Sequence, residues 1–355
     1  MPEMILPGVY IEVRPEGLIV PGQISVGTVG VVGTAAKGPV GVATLVGSYA
    51  DAVRRFGGYD AWRGGTHDEL TLVRALQLVF THGATTVYAV RVAGGSSASA
   101  SITLASATGN TAKLTARTPG EWANDLTVNV AGAEESPVIE KRFHGSDLPI
   151  SLPLKPIQSA RNRVQLTEDL TGISRALRVV SGAGAAAAGE ARLDPTTGAM
   201  TVGDMLQPND VLDVTFLADK SSAVKVTLRL GTAQEIYTVV DGNDLADDVN
   251  DAVAGSAWVT AAVAGMSHPE EPPAHTAPAG AFAPLKGGDN GAANADYRTG
   301  GLDPLLAVDV HIVVAAGQDE GFGGALAAHC EQASTDLVKR DRIAVVGSGI
   351  RNPSQ

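Results

Sequence analysis

The chain has 355 residues, which is long enough for two domains that each bury an apolar core. Its 26 Lys and Arg residues are outnumbered by 38 Asp and Glu residues, and the formal net charge of -12 disfavours binding to nucleic acid or to anionic lipid. The single cysteine, Cys330, excludes an internal disulfide, and no apolar run reaches the roughly 20 residues of a membrane helix, so we expect a protein that folds in the cytoplasm.

The first 25 residues predict an extended N-terminal arm. Val9, Ile11 and Val13 alternate with polar or amphipathic residues, which is typical of a β-strand, and Pro-Gly and Pro-Glu-Gly sequences enclose the run. A strand without a neighbouring hairpin partner leaves its backbone N–H and C=O groups to be satisfied elsewhere. We therefore expect this strand to pair with a distant segment or with another molecule.

Residues 26–94 predict the first part of an α/β core. Val- and Gly-rich residues 24–41 indicate a strand buried on both faces, and residues 85–93 indicate a second strand. Between them, two helices begin at capping-box pairs, Ser48 with Asp51 and Thr66 with Glu69. A strand, helix, strand order predicts a parallel sheet.

Residues 95–283 predict an inserted β-rich sandwich domain and its return linker. Many short Thr- and Val-rich runs are separated by turn-forming residues, which is typical of a β-sandwich. The Pro- and Ala-rich residues 267–284 predict the linker. One short helix within the domain carries acidic residues that predict a solvated face: Asp244, Asp247, Asp248 and Asp251.

Residues 284–355 predict the second part of the α/β core. AVDVHIVVAA indicates a buried strand, FGGALAAHCEQASTDLVK a helix and RIAVVGS a further strand. The chain stops directly after this last predicted core strand. We therefore expect an α/β core that is incomplete at its C-terminus, as in a truncated chain.

The Gly-rich segment does not match a nucleotide-binding motif. Gly27, Gly30 and Gly33 are three residues apart, which differs from the dinucleotide fingerprint. Lys37 precedes a Gly, whereas a phosphate loop has Ser or Thr after its Lys. Tight packing of a strand and a turn accounts better for these glycines.

Candidate nucleophiles also lack the expected neighbours. His329 and Cys330 are adjacent on a predicted helix and point about 100° apart, which favours a core Cys beside a half-exposed His. Ser348 lacks the first Gly of a nucleophile elbow. The sequence therefore predicts no enzyme, and no catalytic, cofactor-binding or metal-binding residues.

Four stretches, taken together and in chain order, carry a family resemblance. They are PGVYIEV, VGVVGTAAKGPVGVATLVGSYADAVRRFGG, PGEWANDLTVNV, and LKGGDNG followed by VDVHIVVAAG, LAAHC and RIAVVG. The set resembles the tail sheath proteins of contractile phage tails and contractile injection systems. The resemblance implies a structural subunit that stacks as helical, hexameric rings around an inner tube and contracts to drive the tube through a target cell envelope. It also implies an α/β core similar to the subtilisin fold without a protease triad.

The resemblance further implies partners and a location. The implied partners are neighbouring copies of the chain, an inner tube protein, and baseplate and terminal cap proteins, with no nucleic acid and no membrane insertion. The implied location is a phage virion tail or an injection-system particle, made in the bacterial cytoplasm. Sheath subunits are similar in adding an N-terminal arm to a neighbour's sheet. This assigns inter-subunit strand exchange to Gly8, Val9, Tyr10, Ile11, Glu12 and Val13.

Two other interpretations are open at this point. One is a hydrolase-like enzyme on the α/β core, with Ser348 or Cys330 as its nucleophile. The other is a baseplate-type or adhesin-type binding module carried by the β-rich domain. The sequence also departs from the family pattern in one respect. Complete sheath subunits continue past the counterpart of RIAVVGS into a further C-terminal domain.

Overall fold

The computed structural model describes residues 27–59, 70–152, 156–335 and 339–347. The chain folds as two compact units: the first runs up to Gly95 and resumes at Ala292, and the second is Ser96–Gly291. The second unit therefore ends later than the predicted boundary at 283. Residues 285–289 remain in it because their backbone bonds to its other segments, for example through Lys286 N–H to the carbonyl of Ser101 in the strand Ser101–Ala105 at 3.1 Å.

The helices and strands follow one another in a clear order. Before the second unit come β1 (Val29–Thr34), β2 (Ala43–Val46), α1 (Tyr49–Phe56), α2 (Leu72–Thr81) and β3 (Val87–Val92). The second unit contains β4 (Ser101–Ala105), β5 (Asn110–Ala116), β6 (Thr127–Gly132), β7 (Val138–His144), β8 (Ile150–Ser151), β9 (Arg163–Thr167), β10 (Ser174–Ser181), β11 (Glu190–Leu193), β12 (Ala199–Val202), β13 (Val211–Leu217), β14 (Val224–Leu230), β15 (Ala233–Val239), α3 (Gly242–Asn250), β16 (Val259–Ala262) and β17 (Ala283–Pro284). After it come α4 (Asp303–Leu306), β18 (Ile312–Ala315), α5 (Gly323–Ala333) and β19 (Ile343–Val345).

The first unit is built on a five-stranded sheet in the order β19-β18-β1-β3-β2. β1 pairs in parallel with β3, where Val29 lies opposite Val87, and with β18, where Val29 lies opposite Ile312. Only β2 is antiparallel to its neighbour. The predicted parallel sheet is confirmed, and the strand from the far side of the inserted unit lies directly beside β1.

Helices cover both faces of this sheet because alternate residues of its central strands are apolar. Val29 and Val31 of β1 pack on the face that also buries Phe56 of α1. Val32 points to the opposite face, where Leu326 of α5 is buried. The unit is thus a three-layer α/β arrangement with an apolar core on each side of the sheet.

The helix caps follow the sequence in part. Ser48 Oγ accepts a hydrogen bond from Asp51 N–H at 3.1 Å, as its capping position predicts. Gly57 ends α1 with a φ of 84°. The predicted capping pair Thr66 and Glu69 lies outside the described residues, and α2 begins at Leu72.

The second unit contains three sheets and two apolar cores rather than the single sandwich that the sequence predicts. The sheets run β7-β13-β9-β10-β11-β12-β8, β15-β14-β6-β17 and β16-β5-β4. The two smaller sheets enclose one core together with α3, as in a sandwich. The seven-stranded sheet curves around the other core, since its two edge strands contribute Ile139 and Ile150 to the same apolar cluster. In the part of the chain that the structure describes, no helix has both the length and the apolar character to cross a membrane.

Candidate functional site

The residues assigned to strand exchange, Gly8 to Val13, lie outside the described residues, as does Ser348. Their roles therefore stay predictions. The candidate sites that can be assessed are the crevice at the sheet of the first unit, the Cys330 region, the acidic helix, the junction of two of the family-like stretches, and the sheet edges.

The carboxyl ends of β1 and β18 mark the point where the strand order reverses. The chain moves from β1 to β3 on one side, whereas β18 leads to β19 on the other. In open α/β sheets, ligands bind in the crevice outside such a switch point. This crevice is therefore the first candidate for a ligand site.

Three hydroxyl groups occupy the switch point. Thr71 Oγ1 lies 3.2 Å from Thr34 Oγ1 and 3.2 Å from the Tyr297 hydroxyl. The Tyr297 hydroxyl donates to the Ala316 carbonyl at 2.8 Å. The backbone N–H groups of Thr34 and Thr71 each donate to the hydroxyl oxygen of the other residue, at 3.2 and 3.1 Å. We call these three residues the hydroxyl cluster.

Two glycines allow Thr71 to approach the strand ends this closely. A Cβ atom at Gly317 would lie 2.6 Å from Thr71 Cγ2, and one at Gly33 would lie 2.8 Å from Thr71 Oγ1. Burial raises the pKa of Tyr297, so its phenol stays protonated and can donate to Ala316. The switch point is thus packed with side chains that bond to one another, and these bonds join the segment before α2 to the ends of the strands.

The environments of His329 and Cys330 are the reverse of the prediction. His329 is the buried residue, 4% exposed, and Cys330 is half-buried. Arg342 Nη1 lies 3.0 Å from His329 Nε2, and Arg342 also donates to the carbonyl oxygens of Leu305 and Val308 near the end of α4. The sequence spacing does not reveal that Arg342 is the hydrogen-bonding partner of His329 on α5.

The chemistry of this pair is unfavourable for a nucleophile. Because guanidinium is only a donor, His329 Nε2 must accept, which leaves the imidazole neutral. Burial, with a contribution from the Arg342 charge, lowers the pKa of His329 to about 4. Burial raises the pKa of the Cys330 thiol, which disfavours the thiolate. The neighbouring His329 is therefore not poised to activate Cys330.

The acidic helix α3 is only partly the solvated face that the sequence predicts. Asp247, Asp248 and Asp251 are exposed, whereas Asp244 is half-buried and accepts a hydrogen bond from Val240 N–H at 3.1 Å. Burial, and to a lesser extent the Asp248 charge, raises the pKa of Asp244 to about 7. The difference arises because the first turn of α3 packs into the core that also buries Leu245.

Two of the family-like stretches, PGEWANDL and LKGGDNG, meet in the second unit. Asn124 Nδ2 donates to the Gly288 carbonyl at 3.0 Å, and Gly288 N–H donates to Asn124 Oδ1 at 2.9 Å. Asn290 Oδ1 accepts from Glu121 N–H at 3.0 Å. A Cβ at Gly288 would lie 2.3 Å from the Gly120 carbonyl oxygen, so this close approach requires a glycine. The first of these stretches forms a 3₁₀ turn over Glu121–Asp125 that buries Ala123.

The edge strand β19 exposes apolar side chains. Ile343 is 63% and Val345 is 49% exposed, although the sequence predicts a core strand here. The difference arises because β19 pairs only with β18 and contributes to no apolar core of the described residues. Ile343 N–H donates to the His311 carbonyl at 2.9 Å, so its backbone groups face inward. Since successive residues alternate, the N–H and C=O of Ala344 point away from β18, to the side of β19 where no other described strand lies.

Neither the hydroxyl cluster nor the Asn124–Gly288 pair is predicted by the sequence. Thr34 and Thr71 are 37 residues apart, and Thr71 and Tyr297 are 226 residues apart. Only the strand order reveals which loops meet at the switch point. The one usable signal was that PGEWANDL and LKGGDNG belong to the same set of family-like stretches.

Comparison with known proteins gives matches only among solved structures. No family profile matches the chain, and comparison with curated proteins gives no match. The structure is similar to a sheath tail protein of Desulfitobacterium hafniense, with a TM-score of 0.47 and 14% sequence identity over 95% of this chain and 52% of that one. It is also similar to a sheath tail protein of Listeria innocua, with a TM-score of 0.44 and 14% identity over 88% of this chain and 45% of that one. The chain thus spans about half the length of these two structures.

Proposed function

We propose that this protein is a structural subunit of a contractile tail sheath. Its copies would stack as helically arranged hexameric rings around an inner tube, and contraction of the lattice would drive the tube through a target cell envelope. Baseplate and terminal cap proteins would hold the two ends of the lattice. The particle would be a phage tail or an injection system, and the α/β core would be related to the subtilisin fold.

The observation that carries the proposal is that the family-like stretches meet pairwise in the fold. β1 comes from the second stretch and β18 from the fourth, and they are adjacent parallel strands with Val29 opposite Ile312. PGEWANDL and LKGGDNG meet through the two Asn124–Gly288 hydrogen bonds. Segments that resemble one family and also contact each other in the folded chain are better explained by a shared fold than by chance similarity.

The open edge of β19 supplies a second argument. An exposed apolar edge strand tends to pair with another chain, and natural proteins usually protect such edges. The Val9–Val13 segment has the alternation of a strand and no hairpin partner nearby in sequence. We propose that this segment from one copy adds to β19 of the next copy, with main-chain bonds at Ala344 and apolar contacts at Ile343 and Val345.

Cross-linking tests this pairing directly. In a Cys330→Ala background, the substitutions Ile11→Cys and Ala344→Cys, in separate copies that are then mixed, should give an inter-chain disulfide under mild oxidation. The matched control combines Ile11→Cys with Val253→Cys, because Val253 is also apolar and is 97% exposed. Equal cross-linking of both pairs would contradict the proposed pairing.

Electron microscopy tests the function itself. Negatively stained, tag-free protein at increasing concentration should form rings or tubes of regular helical repeat, and deletion of residues 1–20 should abolish them. A monodisperse monomer at every concentration would contradict the assembly role. Tubes that persist after the deletion would contradict the proposal that the arm links the subunits.

A further inference from the structure

We propose that His268, Glu270 and Glu271 form a binding site for a divalent transition-metal cation, for which Zn²⁺ is the best fit. The site lies in the second unit and is independent of the proposed assembly role. One nitrogen or oxygen atom from each of the three side chains lies within 4.8 Å of the others. His268 Nδ1 is 3.1 Å from Glu270 Oε1 and 4.0 Å from Glu271 Oε1.

These separations are close to those of a zinc coordination shell. Zinc in proteins is usually tetrahedral, with nitrogen and oxygen ligands at about 2.0–2.2 Å, so neighbouring ligand atoms lie roughly 3.3–3.5 Å apart. Small rotations of two glutamate side chains therefore suffice to bring three ligands around one ion. A water molecule would complete the shell from the solvent side, because all three residues are at least partly exposed.

The backbone already holds the three ligands in one tight turn. His268 N–H donates to the Asn110 carbonyl at 2.9 Å, and Asn110 N–H donates to Ser267 Oγ at 2.9 Å. Glu271 N–H donates back to the His268 carbonyl at 3.2 Å, which closes the turn around Pro269. Because the turn is attached to the start of β5, ion binding would require little ordering of the backbone.

Hydrogen bonds also prepare the carboxylates as ligands. The Thr108 hydroxyl donates to Glu271 Oε2, which leaves Oε1 as the oxygen nearer to His268. A hydroxyl that orients a ligating carboxylate is a common second partner in metal sites.

The ligand set selects among cations. Imidazole nitrogen suits zinc and other late first-row metals, whereas Ca²⁺ and Mg²⁺ prefer sites built from oxygen atoms. Bound metal would hold the start of the Pro-rich return segment in its turn, because all three ligands lie within residues 268–271. Metal that binds only the folded state stabilises it, so zinc should raise the unfolding temperature of the protein.

Calorimetric titration of the metal-free, tag-free chain with ZnCl₂ tests the site. We expect one saturable site, with affinity reduced at least tenfold by His268→Ala and by Glu271→Gln. Zinc should raise the unfolding temperature of the unmodified protein and should not raise that of His268→Ala. His144→Ala is the matched control, because His144 Nδ1 lies 3.8 Å from a single carboxylate, that of Asp147.

The outcomes that would overturn the proposal are equally specific. They are the lack of saturable zinc binding, unchanged binding in His268→Ala, or a loss of binding in His144→Ala instead. Binding of Ca²⁺ or Mg²⁺ as tightly as Zn²⁺ would also overturn it. If His268→Ala fails to fold, Glu270→Gln decides the question, because the Glu270 side chain is 64% exposed and its substitution should weaken zinc binding without disturbing the fold.

Discussion

Asn124 and Gly288 are 164 residues apart in the chain and exchange two hydrogen bonds in the second unit. The Asn124 amide donates to the glycine carbonyl and accepts from the glycine N–H, so one side chain satisfies both backbone groups of its partner. This pair fastens the segment that follows the Pro-rich linker to the 3₁₀ turn before β6. These bonds join two stretches that the sequence relates to each other only through their resemblance to one family.

Asn124→Ala should lower the free energy of unfolding by about 2 kcal/mol, because it removes two hydrogen bonds of about 1 kcal/mol each. Urea unfolding followed by tryptophan fluorescence in a Trp62→Phe background would report on the second unit, which contains Trp122 and Trp258. Asn209→Ala is the control, because the exposed Asn209 amide donates a long hydrogen bond of 3.5 Å to the Asp169 carboxylate, which should contribute little to stability. An equal effect of both substitutions would contradict the role of Asn124.

Gly317→Ala should destabilise the first unit, because its Cβ would lie 2.6 Å from Thr71 Cγ2 and its φ of 84° is unfavourable for alanine. We expect a loss of about 2–4 kcal/mol in thermal or urea unfolding. Adding Thr71→Ser removes the clashing methyl group and should restore part of the loss. Gly58→Ala is the control, because a Cβ there meets nothing within 4 Å. No rescue by Thr71→Ser would argue against the close packing at the switch point.

His329 should make the first unit less stable in acid. Its pKa is about 4 in the folded protein, below the ordinary 6.5, so the unfolded chain binds a proton first as the pH falls. The stabilising contribution is present above pH 6.5 and is lost as the pH falls toward 4. Between these values the unmodified protein should lose about 3 kcal/mol more stability than His329→Gln. Denaturant titrations of both proteins at a series of pH values measure this difference, and the same loss of stability in His329→Gln would contradict it.

Asp244 should have the opposite pH dependence in the second unit. Its pKa of about 7 exceeds the ordinary 3.8, so the folded state binds the proton more tightly and gains stability as the pH falls from about 7 to 4. Asp244→Asn should be more stable than the unmodified protein by about 1–3 kcal/mol at pH 8 and similar to it near pH 4. The control is Asp247→Asn, because the Asp247 side chain is 77% exposed. A constant difference at all pH values would exclude titration of Asp244 as the cause.

Charges placed on β19 should block assembly without unfolding the monomer. Ile343→Lys and Val345→Lys add charge to exposed apolar positions on the open edge of the sheet, where lysine discourages edge pairing. We expect unchanged circular dichroism, an unfolding temperature within a few degrees of the unmodified value, and loss of large species in sedimentation. Val253→Lys should assemble normally. Assembly of all three variants would show that β19 is not the pairing edge.

The sequence by itself determined the elements whose signals are local. The alternation in VLDVTFL predicts β13, where every second residue is buried, and Ser48 with Asp51 marks the start of α1. The strand, helix, strand order also predicts the parallel pairing of β1 and β3, because a right-handed crossover favours it. These features depend on residues within one element or one short connection.

Tertiary structure alone decided which distant residues meet and which remain exposed. Thr34, Thr71 and Tyr297 become neighbours only because β18 lies beside β1, and Asn124 meets Gly288 only because the return segment adds to the second unit. The exposure of β19 follows from its edge position, which an apolar strand sequence does not reveal. The physical reason is common to these cases: burial, pKa and hydrogen bonding depend on the atoms that surround a group, and those atoms come from parts of the chain far away in sequence.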